Sequence, residues 1–103
     1  MQVLVVAHRV PGADGLGRHC AALLHAAWPR TEPGPELLVL GIRLHPQAGI
    51  GSQRAVQVEL ELRLHDGSRL ASRHWGDHVL AVLPEAVAAV VGQSQSAPEP
   101  VAA

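Results

Sequence analysis

Seven histidines in 103 residues are a large share, and two of them sit close together with a carboxylate between. His74-Trp75-Gly76-Asp77-His78 offers two imidazoles and one carboxylate within five residues. Such a set can hold a divalent cation and leave positions open for water or substrate. The spacing fixes no fourth ligand: His8, His45 or His65 could join only through the fold. The alternative is structural, with His74 facing solvent beside Glu59 and Asp77 capping a helix. Protonating all seven histidines would add seven charges to a formal net charge of −1, so a partner held at neutral pH could be released below about pH 6.

His19-Cys20 raises the question of a nucleophilic thiol. Adjacent residues on a helix point about 100° apart, so His19 is badly placed to act as the base for Cys20. Cys20 also falls on an apolar stripe, where a small buried residue is expected. As the single cysteine it excludes an intrachain disulfide and a cysteine-based zinc site. No Ser/His/Asp arrangement or carboxylate pair suited to acid–base catalysis stands out. Glu59 and Glu61 share one strand face, about 7 Å apart, with Arg63 next in the row, as in a salt-laced exposed edge.

Two sets of residues could bind anions. Gly12-Ala13-Asp14-Gly15-Leu16-Gly17 follows a strand and opens a helix, where backbone amides can cradle a phosphate or nucleotide. The order is G-x-x-G-x-G, not the dinucleotide fingerprint, and no acidic residue ends the next strand. Residues 3–27 resemble locally the opening strand, glycine-rich loop and helix of glycosyltransferases with two Rossmann-like lobes. That resemblance implies a place near the substrates for Gly15 and Gly17. It covers a quarter of the chain, and nothing after residue 30 continues it. The second set is Arg54, Arg69 and Arg73, gathered together with Arg63 on the loop and hairpin with His65 and His74 nearby, whose guanidinium groups could grip a phosphate or carboxylate. Glu59, Glu61 and Asp66 interleave with them. Trp75 is the one aromatic available for stacking, so nucleic acid is not expected as a partner.

The elements that must carry these residues are legible in outline. Val56–Trp75 reads as a strand, an Asp66-Gly67 turn and a second strand. Val56, Val58, Leu60, Leu62 and Leu64 alternate with Gln57, Glu59, Glu61 and Arg63, a period of two. A two-residue loop would set Leu64 opposite Arg69 and Leu60 opposite Arg73. A three-residue loop closed by Gly67 sets Leu62 opposite Leu70 and Glu59 opposite Arg73, which pairs like with like and opposite charges with each other. Residues 2–8, apolar on both faces, read as a buried strand. Apolar positions 16, 20, 23, 24 and 27 give a helix with Asp14 as cap, stopped by Pro29. Residues 37–45 form a central strand whose far end, with Arg43 and His45, meets solvent.

Residues 78–91 carry a helical stripe at 79, 82, 83, 86, 87 and 90, with Pro84 inside it. A kinked or two-part helix is favoured over a strand at 78–83 followed by a short helix from Pro84. The fold class is α+β: a two-layer sandwich in the order β-α-β-β-β-α, its mostly antiparallel sheet carrying helices on one face. Residues 1–92 make one compact domain and 93–103 a disordered tail.

Composition narrows function by exclusion. Hydrophobic residues make up 48% and charged residues 17%, as in a globular chain. The net charge of −1 gives no field drawing it to nucleic acid or anionic membrane. No apolar run reaches the roughly 18 residues needed to span a bilayer, no signal segment precedes the first strand, and the lone cysteine fits a reducing compartment, so a cytoplasmic location is expected. Phe, Tyr, Lys and Asn are absent, which fits a GC-rich bacterial genome. No cofactor is implied apart from a divalent metal at the histidine cluster. The expectation is a non-catalytic binding or assembly module, homodimeric or part of a larger complex. Its interface would lie at the sheet edge or on the last helix at Val79, Leu83, Val87, Val90 and Val91, where apolar residues cover more than one face. The rivals are a metal-binding protein using His74, Asp77 and His78, and a phosphate binder using the Gly12–Gly17 loop.

Overall fold

The computed structural model describes residues 1–7, 10, 12–44 and 56–95. They form β1 (Gln2–Ala7), α1 (Ala13–Ala27), β2 (Leu37–Leu44), β3 (Val56–Arg63), β4 (Arg69–Gly76) and α2 (Val79–Gln95), in the expected order β-α-β-β-β-α. The strands lie side by side as β1-β2-β3-β4. β1 runs parallel to β2, with α1 as the crossover that a parallel pair requires, and the other two pairings are antiparallel. Both helices pack on one face of this mixed sheet and against each other.

Alternation along each strand sorts side chains between two faces. Leu38, Leu40 and Ile42 of β2 and Val56, Val58, Leu60 and Leu62 of β3 form the buried row beneath the helices. Cys20 and Leu24 enter it from α1, and Val82, Leu83, Ala86, Val87, Val90 and Val91 from α2. The opposite face carries no element among the described residues.

The hairpin forms in the register its charge and apolar pattern favour. Leu62 stands opposite Leu70 and Glu59 opposite Arg73. The loop is His65-Asp66-Gly67, closed where the Leu64 N–H donates to the Ser68 carbonyl at 2.9 Å. Gly67 takes φ 88°, the left-handed backbone that a residue with a Cβ rarely adopts. Asp66 Oδ1 accepts from the Ser68 N–H at 2.8 Å and the Ser68 hydroxyl at 2.6 Å. Those hydrogen bonds favour the ionised form, so the Asp66 carboxyl titrates below its usual value.

Several expectations are corrected. β1 is an edge strand and not a buried one, because its neighbour lies on one side only; Leu4 and Val6 are 52% and 58% exposed. α1 starts three residues before Leu16, and its cap is Gly12 at φ 72° with no side-chain hydrogen bond, so Asp14 falls in the first turn and does not cap. The helical reading of 78–91 is the one that forms: α2 is one helix with Pro84 inside it, and the strand alternative for 78–83 does not form. Pro84 is tolerated because it lies on the solvent side with Leu80, whose carbonyl it deprives of a donor (Leu80 is 60% exposed). The helix also continues to Gln95, three residues past the expected domain end at 92. The remainder of the expected tail, 96–103, lies outside the described residues, as does the expected loop at 47–54.

Candidate functional site

The His74–His78 segment spans the junction from β4 to α2, and only its first donor lies within the strand. His74 belongs to the core-facing row of β4, opposite Val58 and half-buried, not beside Glu59 in solvent. Asp77 and His78 are exposed. The His78 carbonyl accepts from the Ala81 and Val82 N–H groups at 3.1 and 3.2 Å, so His78 stands at the cap position expected for Asp77. Among the described residues no three His, Cys, Asp or Glu side chains are grouped so that they could hold a metal ion. His8 and His45, two of the candidates for a further ligand, lie outside the described residues.

The glycine-rich segment is arranged for packing. Gly15 and Gly17 both lie inside α1 and not in a loop ahead of it. The Leu16 N–H already donates to the Gly12 carbonyl at 3.1 Å, so only the amides before it are left for an anion. Gly17 is buried against β1: a Cβ there would sit 2.5 Å from Val5 Cγ2 and 3.3 Å from Val3 Cγ1. Its lack of a side chain lets α1 approach the sheet. Cys20, one turn on, is fully buried, and desolvation pushes its thiol up to about 11, far from a nucleophile's range.

The apolar residues expected at an interface are spent inside this chain. Leu83, Val87, Val90 and Val91 are buried in the core and Val79 packs against it, so the helix excess is absorbed by the sheet and α1. Of the large apolar side chains on α2, Leu80 is the exposed one among the described residues.

What remains as a working surface is the face of the sheet away from the helices, exposed along most of its described rows but closed at Gln57, which is 5% exposed. Its rows follow from the register: Gln2, Leu37, Arg63 and Arg69; Leu4, Val39, Glu61 and Ala71; Val6, Gly41, Glu59 and Arg73; then Arg43, Gln57 and Trp75. Arg69 Nη2 lies 2.7 Å from Glu61 Oε1 and Arg73 Nε 3.3 Å from Glu59 Oε1. Glu59 Oε1 also accepts from Gln57 Nε2 at 3.1 Å. The two glutamates thus belong to the middle of an open face, not to an edge. Arg69 and Arg73, expected as anion ligands, each have one such partner, while Arg54 lies outside the described residues. Arg63, which gathers with them in the sequence, lies on the same face, as does Arg43, which was not singled out as a ligand. The described part of this face carries four arginines against two glutamates, an excess of positive charge on a chain whose formal net charge is −1.

Gly41 lies in mid-strand on this face. It lines an open trough of about 830 Å³ together with Val6, Val39, Glu59 and Arg73. Trp75, 43% exposed, stands at the Arg43 end of the face. The signal for this surface was present as Gly41 inside an apolar run, a mark of close approach or of a hollow.

No family model matches this chain, and no curated protein matches its sequence. Among solved structures it is similar to a ribosomal subunit interface protein from Coxiella burnetii, with a TM-score of 0.68. The match covers 95% of this chain and 100% of that one, at 14% identity. The likeness is one of fold. It places the β-α-β-β-β-α order and the half-covered sheet among known architectures, and leaves the chemistry to this chain's own residues.

Proposed function

We propose that this chain is a non-catalytic binding and assembly module that presents the open face of its sheet to a ribosome. The observation that carries this reading is the division of the sheet: both helices cover one face, while the other displays Arg43, Arg63, Arg69, Arg73 and Trp75. Guanidinium groups and an exposed ring on a sheet suit phosphate contact and base stacking. The expectation against nucleic acid rested on net charge and on too few aromatics, and it gives way because charge and ring are gathered on one face. The fold shared with a ribosomal subunit interface protein supports the same partner, and with it a cytoplasmic location. No helix of the described residues is long and apolar enough to cross a membrane.

The test is co-sedimentation of the purified chain with purified bacterial ribosomes over a salt series. Binding should weaken with salt and should fall in the Arg43→Ala/Arg63→Ala double variant and in Trp75→Ala. Arg43 and Arg63 lie on the open face and are exposed, so their removal leaves the fold intact. No co-sedimentation at low salt, or binding indifferent to all three substitutions, would sink the reading.

A further inference from the structure

The two edges of the sheet are built differently. On the β4 side, α2 reaches over and Gln93 occupies the backbone of Ala71 with its carboxamide. On the β1 side no described strand pairs with the outer edge. The Gln2 N–H donates inward to the Glu36 carbonyl at 3.0 Å. In a parallel pair the residues that donate toward the neighbour also accept from it, so Gln2, Leu4 and Val6 turn their backbone to β2. Val3 and Val5 therefore turn theirs outward. Natural edges are usually blunted by Lys, Pro or an inward-pointing charge. Gln2–Ala7 has none of these, and Val3, Leu4 and Val6 are all more than 40% exposed.

We infer that β1 is the pairing edge for a second copy of this chain, joined antiparallel about a two-fold axis. This rests on the assembly reading and names one of its partners. The edge contains no charge, so it fits an uncharged, β-branched strand that itself has a free side, and β1 is the one described strand that meets those terms. Two-fold pairing through Val5 sets Val5 against Val5 and Leu4 against Val6 of the other copy, burying on each other the apolar side chains that one copy leaves in water. Pairing of β1 with β4 of another copy is blocked by Gln93 and would meet Arg69 and Arg73, so assembly closes as a dimer and does not run on as a filament. The product is an eight-stranded sheet with all four helices on one side and both open faces joined on the other.

Sedimentation equilibrium and native mass spectrometry of the untagged chain test this. The expected species in the micromolar range has twice the 10.8 kDa chain mass. Leu4→Lys/Val6→Lys places like charges opposite each other across the two-fold and spares the core, because both side chains lie on the open face. It should weaken dimerisation about tenfold or more. Mixing it with Leu4→Glu/Val6→Glu should restore a mixed dimer, which an unfolded variant could not do. A wild-type monomer throughout, or a lysine variant that dimerises as well as wild type, overturns the proposal. A wild-type monomer that still binds ribosomes through Arg43, Arg63 and Trp75 overturns the dimer alone; a dimer that binds no ribosome supports the dimer and overturns the ribosome reading.

Discussion

Gln93 holds Ala71 as a neighbouring strand would. Its Nε2 donates to the Ala71 carbonyl at 2.6 Å, and its Oε1 accepts from the Ala71 N–H at 3.2 Å. One side chain near the end of α2 thereby satisfies both outward backbone groups of a residue on the edge of β4. Replacing Gln93 by Leu keeps a side chain of similar length and removes both bonds. The expected loss is about 1–2 kcal/mol in urea unfolding, with faster hydrogen exchange at the Ala71 amide. Gln93→Glu should fall between, because a carboxylate accepts from the N–H and cannot donate to the carbonyl. A chain cut after residue 92 should resemble Gln93→Leu; equal stability of all these forms would show that the clamp contributes nothing.

Gly15 and Gly17 stand two apart on one helix, and substitution should move them in opposite directions. Gly15 is exposed, and a methyl group at its Cα would meet no other atom, so Gly15→Ala should stabilise by about 0.5–1 kcal/mol through helix propensity alone. Gly17→Ala gains the same propensity, but its Cβ meets Val5 Cγ2 at 2.5 Å, and valine has little rotamer freedom with which to yield. Overpacking of that kind costs about 1–3 kcal/mol, for a net loss of about 1 kcal/mol or more. Thermal melts of the two variants check the pair. A phosphate-cradling loop would instead show itself as phosphate-dependent stability in wild type that both substitutions weaken.

What could be read from the sequence was local. The Glu59–Arg73 and Leu62–Leu70 registers follow from a turn and two alternating strands a few residues apart, so the chain's own pattern settles them. The α2 stripe was legible for the same reason, and it carried the helix through Pro84. The open face was not legible, because it depends on strand order. Leu4 and Val6 look like core residues until β1 is found at an edge. Val87, Val90 and Val91 look like interface until α1 and β3 are found against them. The Gln93–Ala71 contact joins residues 22 apart through two polar atoms, and no periodicity announces it. The placing of the His74–His78 segment was not legible either, because it depends on where β4 stops: His74 falls in the core-facing row of the strand and Asp77 and His78 beyond its end.

The hairpin tip should be sensitive to acid. Hydrogen bonds from Ser68 hold the Asp66 carboxyl below its ordinary 3.8 in the folded state. A depressed carboxyl contributes stability above its unfolded value, and the contribution is lost as pH falls through the folded value. The affected window therefore lies below about pH 4. Asp66→Asn should flatten that part of the stability curve, and Ser68→Ala should flatten most of it. If urea midpoints for wild type and Asp66→Asn stay parallel through this range, the Asx turn does not carry the effect.

Cys20 governs the alkaline side, and composition makes it unusually easy to observe. Burial raises its thiol from 9.0 to about 11 in the folded chain. Between those values the unfolded chain releases the proton while the folded chain keeps it, so rising pH draws the equilibrium toward unfolding. The contribution is complete below about pH 9 and gone above about 11, a difference of roughly 3 kcal/mol at most. All eight cationic side chains are arginines, and the chain lacks lysine and tyrosine, the residue types whose ordinary range falls in that window. Stability measured from about pH 8 to about pH 11.5 should fall in wild type and stay nearly level in Cys20→Ala, which starts lower because it leaves a small cavity. The native thiol should also react with a disulfide reagent at the rate at which the protein opens, not at the rate of an exposed cysteine. Rapid modification of the folded protein at neutral pH would place Cys20 outside the core.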